Sequence, residues 1–131
     1  MALTLRIVTP TRLVVEAEVD EVTAPGSAGE FGVFPEHVTF LGALDLGLLT
    51  YREGSSNKRV IIHGGFAEVR DDVMTVLADD AEFPDEIDVE VARAELKRLD
   101  GELDKGRENP AEVEELLREH RRAEVRVSAG A

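Results

Sequence analysis

The chain has 131 residues and a formal net charge of −13 at pH 7, and it contains no Cys. This length suits one ordinary domain or a small domain with an appendage, and it requires neither disulfides nor a metal for folding. The acidity argues against nucleic acid as a partner and against charge-driven adsorption to anionic lipid.

The apolar runs of the chain are short, and residues 60–62, Val-Ile-Ile, are an example. A membrane-spanning helix needs about 20 apolar residues, so no direct membrane insertion is expected. The first six residues show no basic region followed by an apolar stretch, and neither a signal peptide nor a transit peptide is expected.

Residues up to about 84 have the pattern of strands, because short alternating or β-branched runs are separated by Pro, Gly, Asn and Asp. Many such runs with a turn about every 10 residues predict a β-sandwich of about ten short strands over residues 1–85. Gly64-Gly65 would allow a bulge or a close backbone approach within the sheet. The candidate strands cover residues 3–8, 13–22, 31–33, 38–44, 46–52, 59–63, 66–70 and 73–78.

After residue 84 the spacing of apolar residues changes to that of amphipathic helices. A first helix is predicted over about 88–105 with Asp88 or Asp85 as its N-cap, and Gly106 interrupts the pattern. Asn109 as N-cap and Pro110 at the first helical position predict a second helix over about 110–127. Residues 86–131 are therefore expected to form an antiparallel helical hairpin. The apolar stripes are Ala92, Leu96, Leu99 and Leu103, then Val113, Leu116, Leu117, His120 and Val127.

The histidines and the acidic pairs are the candidates for chemistry, and neither group forms a recognisable site. His37, His63 and His120 lack the spacing of metal ligands. His63 lies in a predicted strand and is expected to be structural, whereas His37 lies in a loop that a partner could reach. Adjacent carboxylates such as Asp71-Asp72 are expected to be solvated surface. No phosphate loop and no nucleophile elbow is present, which predicts a non-catalytic interaction protein with no metal and no cofactor.

Residues 26–37 carry a pattern that resembles a family signature. Their order, Gly-Ser-Ala-Gly-Glu-Phe-Gly-Val-Phe-Pro-Glu-His, is similar to the G-S-x-G-x-x-G-x-x-P-x-H signature of the epsilon subunit of F-type ATP synthases. Further matches follow in order along almost the whole chain. They are Ile-Val-Thr-Pro at 7–10, Val-Asp-Glu-Val at 19–22, G-G-F-A-E-V at 64–69, V-L-A-D-D-A-E at 76–82, Ile-Asp at 87–88 and R-R-A at 121–123.

The resemblance implies a non-catalytic subunit of the rotating central stalk. In that family the β-sandwich clamps onto the gamma subunit and sits on the polar loops of the c-ring, so that proton flow is coupled to ATP synthesis. The helical hairpin is mobile and can extend to the alpha and beta subunits, where it blocks ATP hydrolysis. The resemblance also implies a peripheral location at the cytoplasmic face of a bacterial plasma membrane.

Two sets of residues are the contacts that the resemblance implies. Glu30 and His37 would face the c-ring or the gamma subunit, where Glu30 could pair with a basic loop and His37 could donate a hydrogen bond or titrate. Cationic residues of the second helix would engage acidic segments of the beta subunit, since an arginine fork suits carboxylates. A solubilising turn and a solvated helix face are the alternatives for the two sets. The cationic residues are Arg118, Arg121, Arg122 and Arg126.

The start of the first helix departs from a motif found in some bacterial members of the family. Those members bind ATP through I-D-x-x-R-A with further arginines beyond it. Ile87 and Asp88 match the motif and Arg98 matches the next arginine, but Val91 stands where the motif arginine should be. Arg93 lies about 200° away around the helix axis and should not substitute for it. Regulatory ATP binding is therefore not expected, and Asp88 is expected to be only a helix cap.

Two other classes of protein remain as alternatives at this point. One is a stand-alone β-sandwich adaptor whose helical hairpin binds a different partner. The other is a small hydrolase that uses His63 with a nearby carboxylate. The acidity lies mainly in residues 1–87, with 16 acidic against 6 basic side chains, while residues 88–131 carry 12 against 9.

Overall fold

A computed structural model describes residues 2–106 and 108–130 of the chain. The chain divides into two compact units, Met1–Phe83 and Pro84–Ala131. The first unit is built from strands and the second from helices, as the change of apolar period indicates. The mostly-β-plus-α fold class predicted from the sequence is confirmed, with a β-sandwich followed by two helices.

The first unit contains a single hydrogen-bonded sheet that forms both layers of the sandwich. The strand order is β2-β1-β7-β6-β5-β3-β4, and β8 pairs with β6. Only the β1–β7 pair is parallel among the strand pairs of the described residues. The strands are β1 Leu3–Val8, β2 Leu13–Val19, β3 Glu21–Gly26, β4 Gly29–Val33, β5 Phe40–Glu53, β6 Ser56–Arg70, β7 Val73–Ala78 and β8 Ala81–Glu82.

The two long strands β5 and β6 turn from one layer into the other at the same place. Leu44 pairs with Gly65 and Leu46 pairs with His63, so the ladder is interrupted between them. Gly64 and Gly65 have φ angles of 76° and 132°, which side chains rarely tolerate. A Cβ on Gly65 would collide with the carbonyl oxygen of Leu77, so the predicted close backbone approach is confirmed.

This bend corrects the predicted strand boundaries. The candidate strands on either side of Asp45 form one continuous strand, and so do those on either side of Gly64-Gly65. The described residues hold eight strands where about ten were predicted, and β8 was not among the candidates. In the other direction, the predicted strand 13–22 is split at Asp20. The Asp20 carboxylate accepts a hydrogen bond from the Gly54 backbone N–H at 2.8 Å, and the Asp20 backbone N–H donates to the Arg52 carbonyl. A side chain that accepts a hydrogen bond from a backbone N–H group competes with the strand ladder and favours a break in the strand.

Alternation of side chains places the core between the two layers. Leu3, Leu5 and Ile7 of β1 are fully buried, whereas the residues between them are more exposed. The same period-two pattern holds along β3 and β7. The core also includes Val15, Val19, Val22, Ala24, Val33, Leu44, Leu49, Tyr51, Val60, Ile62, Ala67, Val69, Met74, Val76, Ala78 and Ala81.

The second unit has a short 3₁₀ turn, Pro84–Glu86, followed by α1 Val89–Asp104 and α2 Pro110–Gly130. Both predicted caps are confirmed. The Asp88 carboxylate accepts hydrogen bonds from the backbone N–H groups of the second and third helical residues of α1. Asn109 does the same for the Ala111 N–H at 2.9 Å. Helix α2 runs three residues beyond its predicted end at 127, and Ala129 in this extension is buried.

The two helices of this unit pair in antiparallel fashion. Leu99 on α1 and Ala123 on α2 are buried, and Arg98 lies 4.0 Å from Glu119 on the facing helix. Gly106, with a φ angle of 73°, follows the last turn of α1 and donates its N–H to the Leu103 carbonyl. Within residues 2–106 and 108–130, no helix is long and apolar enough to span a membrane.

Candidate interaction surfaces

An apolar row crosses five strands on the outer face of the sandwich. We define it as Leu13, Val8, Leu77, Phe66 and Ala43, which are cross-strand neighbours in the order β2-β1-β7-β6-β5. Phe66 is 58% exposed, Leu77 57% and Leu13 51%. In a chain with so many charged residues, contiguous exposed apolar side chains mark a protein contact surface. Alternation along single strands does not predict this row, because it assigns each strand one apolar face and places that face in the core.

The loop that carries His37 follows β4 directly. The His37 backbone N–H donates to the Phe34 carbonyl, and its Nδ1 lies 2.7 Å from the Val38 carbonyl oxygen. Because a carbonyl can only accept, Nδ1 must carry the proton, and Nε2 of the neutral ring is then an acceptor. The ring also lies edge-on to Phe40, 6.3 Å between centroids. His37 can therefore accept a hydrogen bond when neutral and donate one when protonated.

Asp72 fixes this loop from the turn between β6 and β7. Its Oδ1 accepts a hydrogen bond from the Glu36 backbone N–H at 2.5 Å, where Glu36 has a φ angle of 67°. The carbonyl of Asp72 accepts from Thr4 of β1 at 2.9 Å. The predicted hairpin at Asp71-Asp72 is confirmed, since both residues have positive φ in a two-residue turn. The expectation that this acidic pair is only solvated surface was wrong for Asp72.

Glu30 lies on β4, opposite Pro25, and is exposed. No hydrogen bond or ion pair joins Glu30 to His37 in the part of the chain that the structure describes. Phe34 and Val38, at the two ends of the same loop, are 52% and 75% exposed. The strand and loop therefore present one carboxylate, one imidazole and two apolar side chains to a partner.

The four arginines of α2 fall into two pairs. Arg121 and Arg126 have interaction partners, and Arg126 contributes to lowering the pKa of Glu95 on α1. Arg118 and Arg122 are exposed one turn apart and make no ion pair among the described residues. Side chains four residues apart share a helix face. Two of the four predicted cations are thus available together, a division that sequence spacing does not reveal.

The two polar residues that match the ATP motif, Asp88 and Arg98, are engaged in contacts within the second unit. The Asp88 carboxylate caps α1, and Val91 is 64% exposed. Arg98 binds Glu95 through two nitrogens, at 3.2 Å and 2.6 Å. The Arg98 hydrogen bond lowers the pKa of the Glu95 carboxyl, and the same hydrogen bond raises the pKa of Arg98. Ile87 is half-buried.

His63 forms a structural pair with a carboxylate rather than an evident catalytic centre. Its Nε2 lies 2.9 Å from Glu82 Oε2, and the two side chains are 5% and 24% exposed. The pair ties β6 to β8, whose backbones are also hydrogen-bonded. Hydrolysis through a covalent intermediate would further require a nucleophile that the histidine activates. Among the described residues, no group of three or more His, Asp or Glu side chains could hold a metal ion.

Comparisons with known proteins agree over almost the whole chain. The family described as ATP synthase, Delta/Epsilon chain, beta-sandwich domain matches residues 2–84. The ATP synthase epsilon chain of Nitratidesulfovibrio vulgaris strain DP4 is 43% identical over 124 residues, 95% of this chain and 87% of its relative. That of strain Miyazaki F is 51% identical over 92 residues, 70% of this chain and 69% of its relative.

A solved structure shares the fold. A chain in the OSCP/F1/c-ring structure of the Euglena gracilis mitochondrial ATP synthase superposes with a TM-score of 0.74 at 22% identity, over 96% of this chain and 75% of that one. The eight strands and two helices thus form a known fold over almost the whole chain. This chain belongs to the ATP synthase delta/epsilon family, as a non-catalytic subunit of the epsilon type.

Proposed function

We propose that this chain is a rotor subunit of an F-type ATP synthase that couples proton flow through the c-ring to ATP synthesis and restrains ATP hydrolysis. The sandwich docks on the gamma subunit and meets the polar loops of the c-ring. The hairpin reaches the alpha and beta subunits. The subunit lies at the cytoplasmic face of a bacterial plasma membrane as a peripheral part of the complex.

The apolar row is the observation that carries the docking part of this proposal. The five side chains are cross-strand neighbours on five strands, and three of them are more than half exposed. Leaving such a surface in water is unfavourable by roughly 25 cal/mol per Å² of apolar area. A permanent subunit contact covers it, and the gamma subunit is the partner that family membership supports.

The loop with His37 and the exposed Glu30 support a second contact of different chemistry. A carboxylate and an imidazole suit polar and basic loops, such as those of a c-ring, better than an apolar partner. Asp72 holds the loop backbone in place, so less ordering is needed when a partner binds. Glu30 and His37 therefore remain our proposed c-ring contacts.

Arg118 and Arg122 support the inhibitory part of the proposal. Both are exposed on one face of α2 and have no carboxylate partner among the described residues. An acidic segment of a beta subunit could accept both guanidinium groups. Arg121 and Arg126, which already have partners, would contribute only after those contacts break.

We also propose that no ATP site regulates this chain, and that it needs no cofactor. The motif arginine is replaced by Val91, and the two matching polar residues are already engaged, Asp88 with the start of α1 and Arg98 with Glu95. A nucleotide phosphate would have to displace the two-nitrogen contact between Arg98 and Glu95. Titration of the protein with ATP, followed by amide chemical shifts, should leave the signals of α1 unmoved.

The decisive partner test is co-purification from the native host. The tagged chain should bring down the gamma subunit in equal amounts, since the proposed contact is permanent. Recovery of the chain with other partners and without gamma would favour the adaptor alternative. A turnover by the isolated protein that disappears in H63A would instead favour the hydrolase alternative.

A further inference from the structure

One imidazole in the helical hairpin lies between two carboxylates. His120 Nε2 is 2.6 Å from Asp100 Oδ1 on α1, and its Nδ1 is 2.7 Å from Glu124 Oε1 one turn further along α2. The imidazole is 20% exposed, whereas the two carboxylates are 61% and 57% exposed. No other partner of either carboxylate occurs in the described residues.

The chemistry of this arrangement demands a proton on each ring nitrogen. A neutral imidazole has one N–H, so one of its nitrogens presents a lone pair. Facing a carboxylate oxygen at 2.7 Å, that lone pair would be repelled rather than bound. Both short contacts of His120 are favourable together only when the ring is an imidazolium, with two donors and a positive charge.

Other charged groups lie on the elements that surround the ring. On α1, Lys97 and Asp104 lie about one turn to either side of Asp100 and are exposed. On α2, Glu119 faces Arg98 at 4.0 Å, and Arg121 follows His120 and has its own partners. The 3₁₀ turn that also packs on α2 carries Asp85 and Glu86. Among the described residues, Asp100 and Glu124 are the charged groups within hydrogen-bond distance of the ring.

We propose that His120 is a proton-binding site that fastens α2 to α1. With the proton bound, the ring joins the two helices through Asp100 and holds Glu124 in place. Without it, one of the two contacts becomes repulsive and the pairing of the helices is weakened. The stabilisation is present at low pH and is lost as the pH rises. If α2 must separate from α1 to inhibit hydrolysis, as part of the proposed function, this separation becomes sensitive to pH.

The full-length chain offers a clean measurement of this effect. Because it contains no Cys, A94C and S128C place two spin labels at exposed positions on α1 and α2 without background labelling. The temperature at which the labels separate is measured at pH 6.0 and pH 8.5. We expect it to fall by about 4 °C between these values, and to change little in H120Q, since glutamine cannot gain a charge.

Two companion measurements keep the test specific. H37Q, which removes a histidine outside the hairpin, should retain the full pH effect. Nitrogen chemical shifts of the His120 ring at pH 6.0 should show a proton on both nitrogens. The same pH effect in H120Q, no pH effect in the parent chain, or a singly protonated ring at pH 6.0 would each overturn the proposal.

Discussion

At the scale of single residues, Asp72 illustrates how a tight turn can position a loop that is distant in sequence. Its carboxylate reaches the Glu36 N–H, and it sits in a turn whose own geometry already requires positive φ at two positions. The sequence predicts the turn, because Asp tolerates this conformation. It does not predict the contact with Glu36, since the two residues are 36 positions apart and only the fold brings them together.

Removing this carboxylate should loosen the loop that carries His37. D72A loses the hydrogen bond, and we expect it to unfold at lower urea with a cost of about 1 kcal/mol beyond that of D71A. D71A is the matched control, since its φ angle is positive too and its ion pair with Arg70 is exposed. Faster amide exchange at Glu36 in D72A but not in D71A is the second measurement. Equal stability of the two variants would contradict the positioning role.

The pair Glu95–Arg98 gives a prediction about acid pH. The Arg98 hydrogen bond lowers the pKa of Glu95 from its ordinary value of 4.5. A carboxyl with a lowered native pKa contributes stability above its unfolded pKa and loses it as the pH falls through the native one. R98Q should therefore raise the pKa of Glu95 toward 4.5 and reduce the acid sensitivity of the hairpin. Carbon chemical shifts of Glu95 between pH 2 and pH 6 measure this, and an unchanged titration would contradict it.

At the scale of elements, the apolar row should carry the affinity for the gamma subunit. F66D puts a charge at the centre of the row, and we expect binding of the isolated gamma subunit to weaken by roughly 30-fold. Phe66 is 58% exposed, so the sandwich itself should stay folded. V38D is the matched control, because Val38 is an exposed apolar residue outside the row. Calorimetry measures the affinity of each variant for the gamma subunit. If F66D and V38D weaken this affinity equally, the apolar row has no special role in binding.

The exposed arginine pair of α2 makes the corresponding prediction for the hairpin. R118Q/R122Q should weaken its contact with an acidic segment by about tenfold and raise ATP hydrolysis by the assembled complex. R93Q/K97Q removes the same charge from α1, where Arg93 is already paired with Glu90. Steady-state hydrolysis rates of the two complexes test this. An equal rise in both would mean that net charge, not the α2 face, sets the inhibition.

The elements also show which parts of the fold sequence reasoning reaches. Capping residues predict the start of each helix correctly, because Asp88 and Asn109 act on backbone groups two or three positions away. Asp45 and Gly64-Gly65, which predict strand ends, do not end β5 and β6, because the ladder between these two strands continues on both sides of them. Alternation also hides the apolar row, because it assigns each strand one apolar face and leaves the opposite face unexamined. Local interactions are thus predictable, whereas cross-strand neighbours require the register.

At the scale of the whole molecule, the two units carry different chemistry. The sandwich unit has its own apolar core, formed from residues of β1 to β8, and exposes the apolar row. In the described part of the two helices the buried residues are few, Ala92, Leu99, Ala123 and Ala129, and most ion pairs of the hairpin unit are exposed. Exposed ion pairs contribute little stability each, so the hairpin should open more easily than the sandwich unfolds. A docking part joined to a releasable part suits a subunit that both assembles and regulates.

In the proposed function, the sandwich docks the subunit in the complex and the hairpin restrains ATP hydrolysis. The most direct measurement is the ATP hydrolysis rate of the complex reconstituted with the chain truncated after residue 84, where the family match ends. We predict that the truncated subunit is incorporated in normal amounts and that hydrolysis rises several-fold over the complex with the full chain. Normal incorporation with an unchanged hydrolysis rate would contradict the inhibitory role. Loss of the truncated subunit from the complex would contradict the docking role of the sandwich.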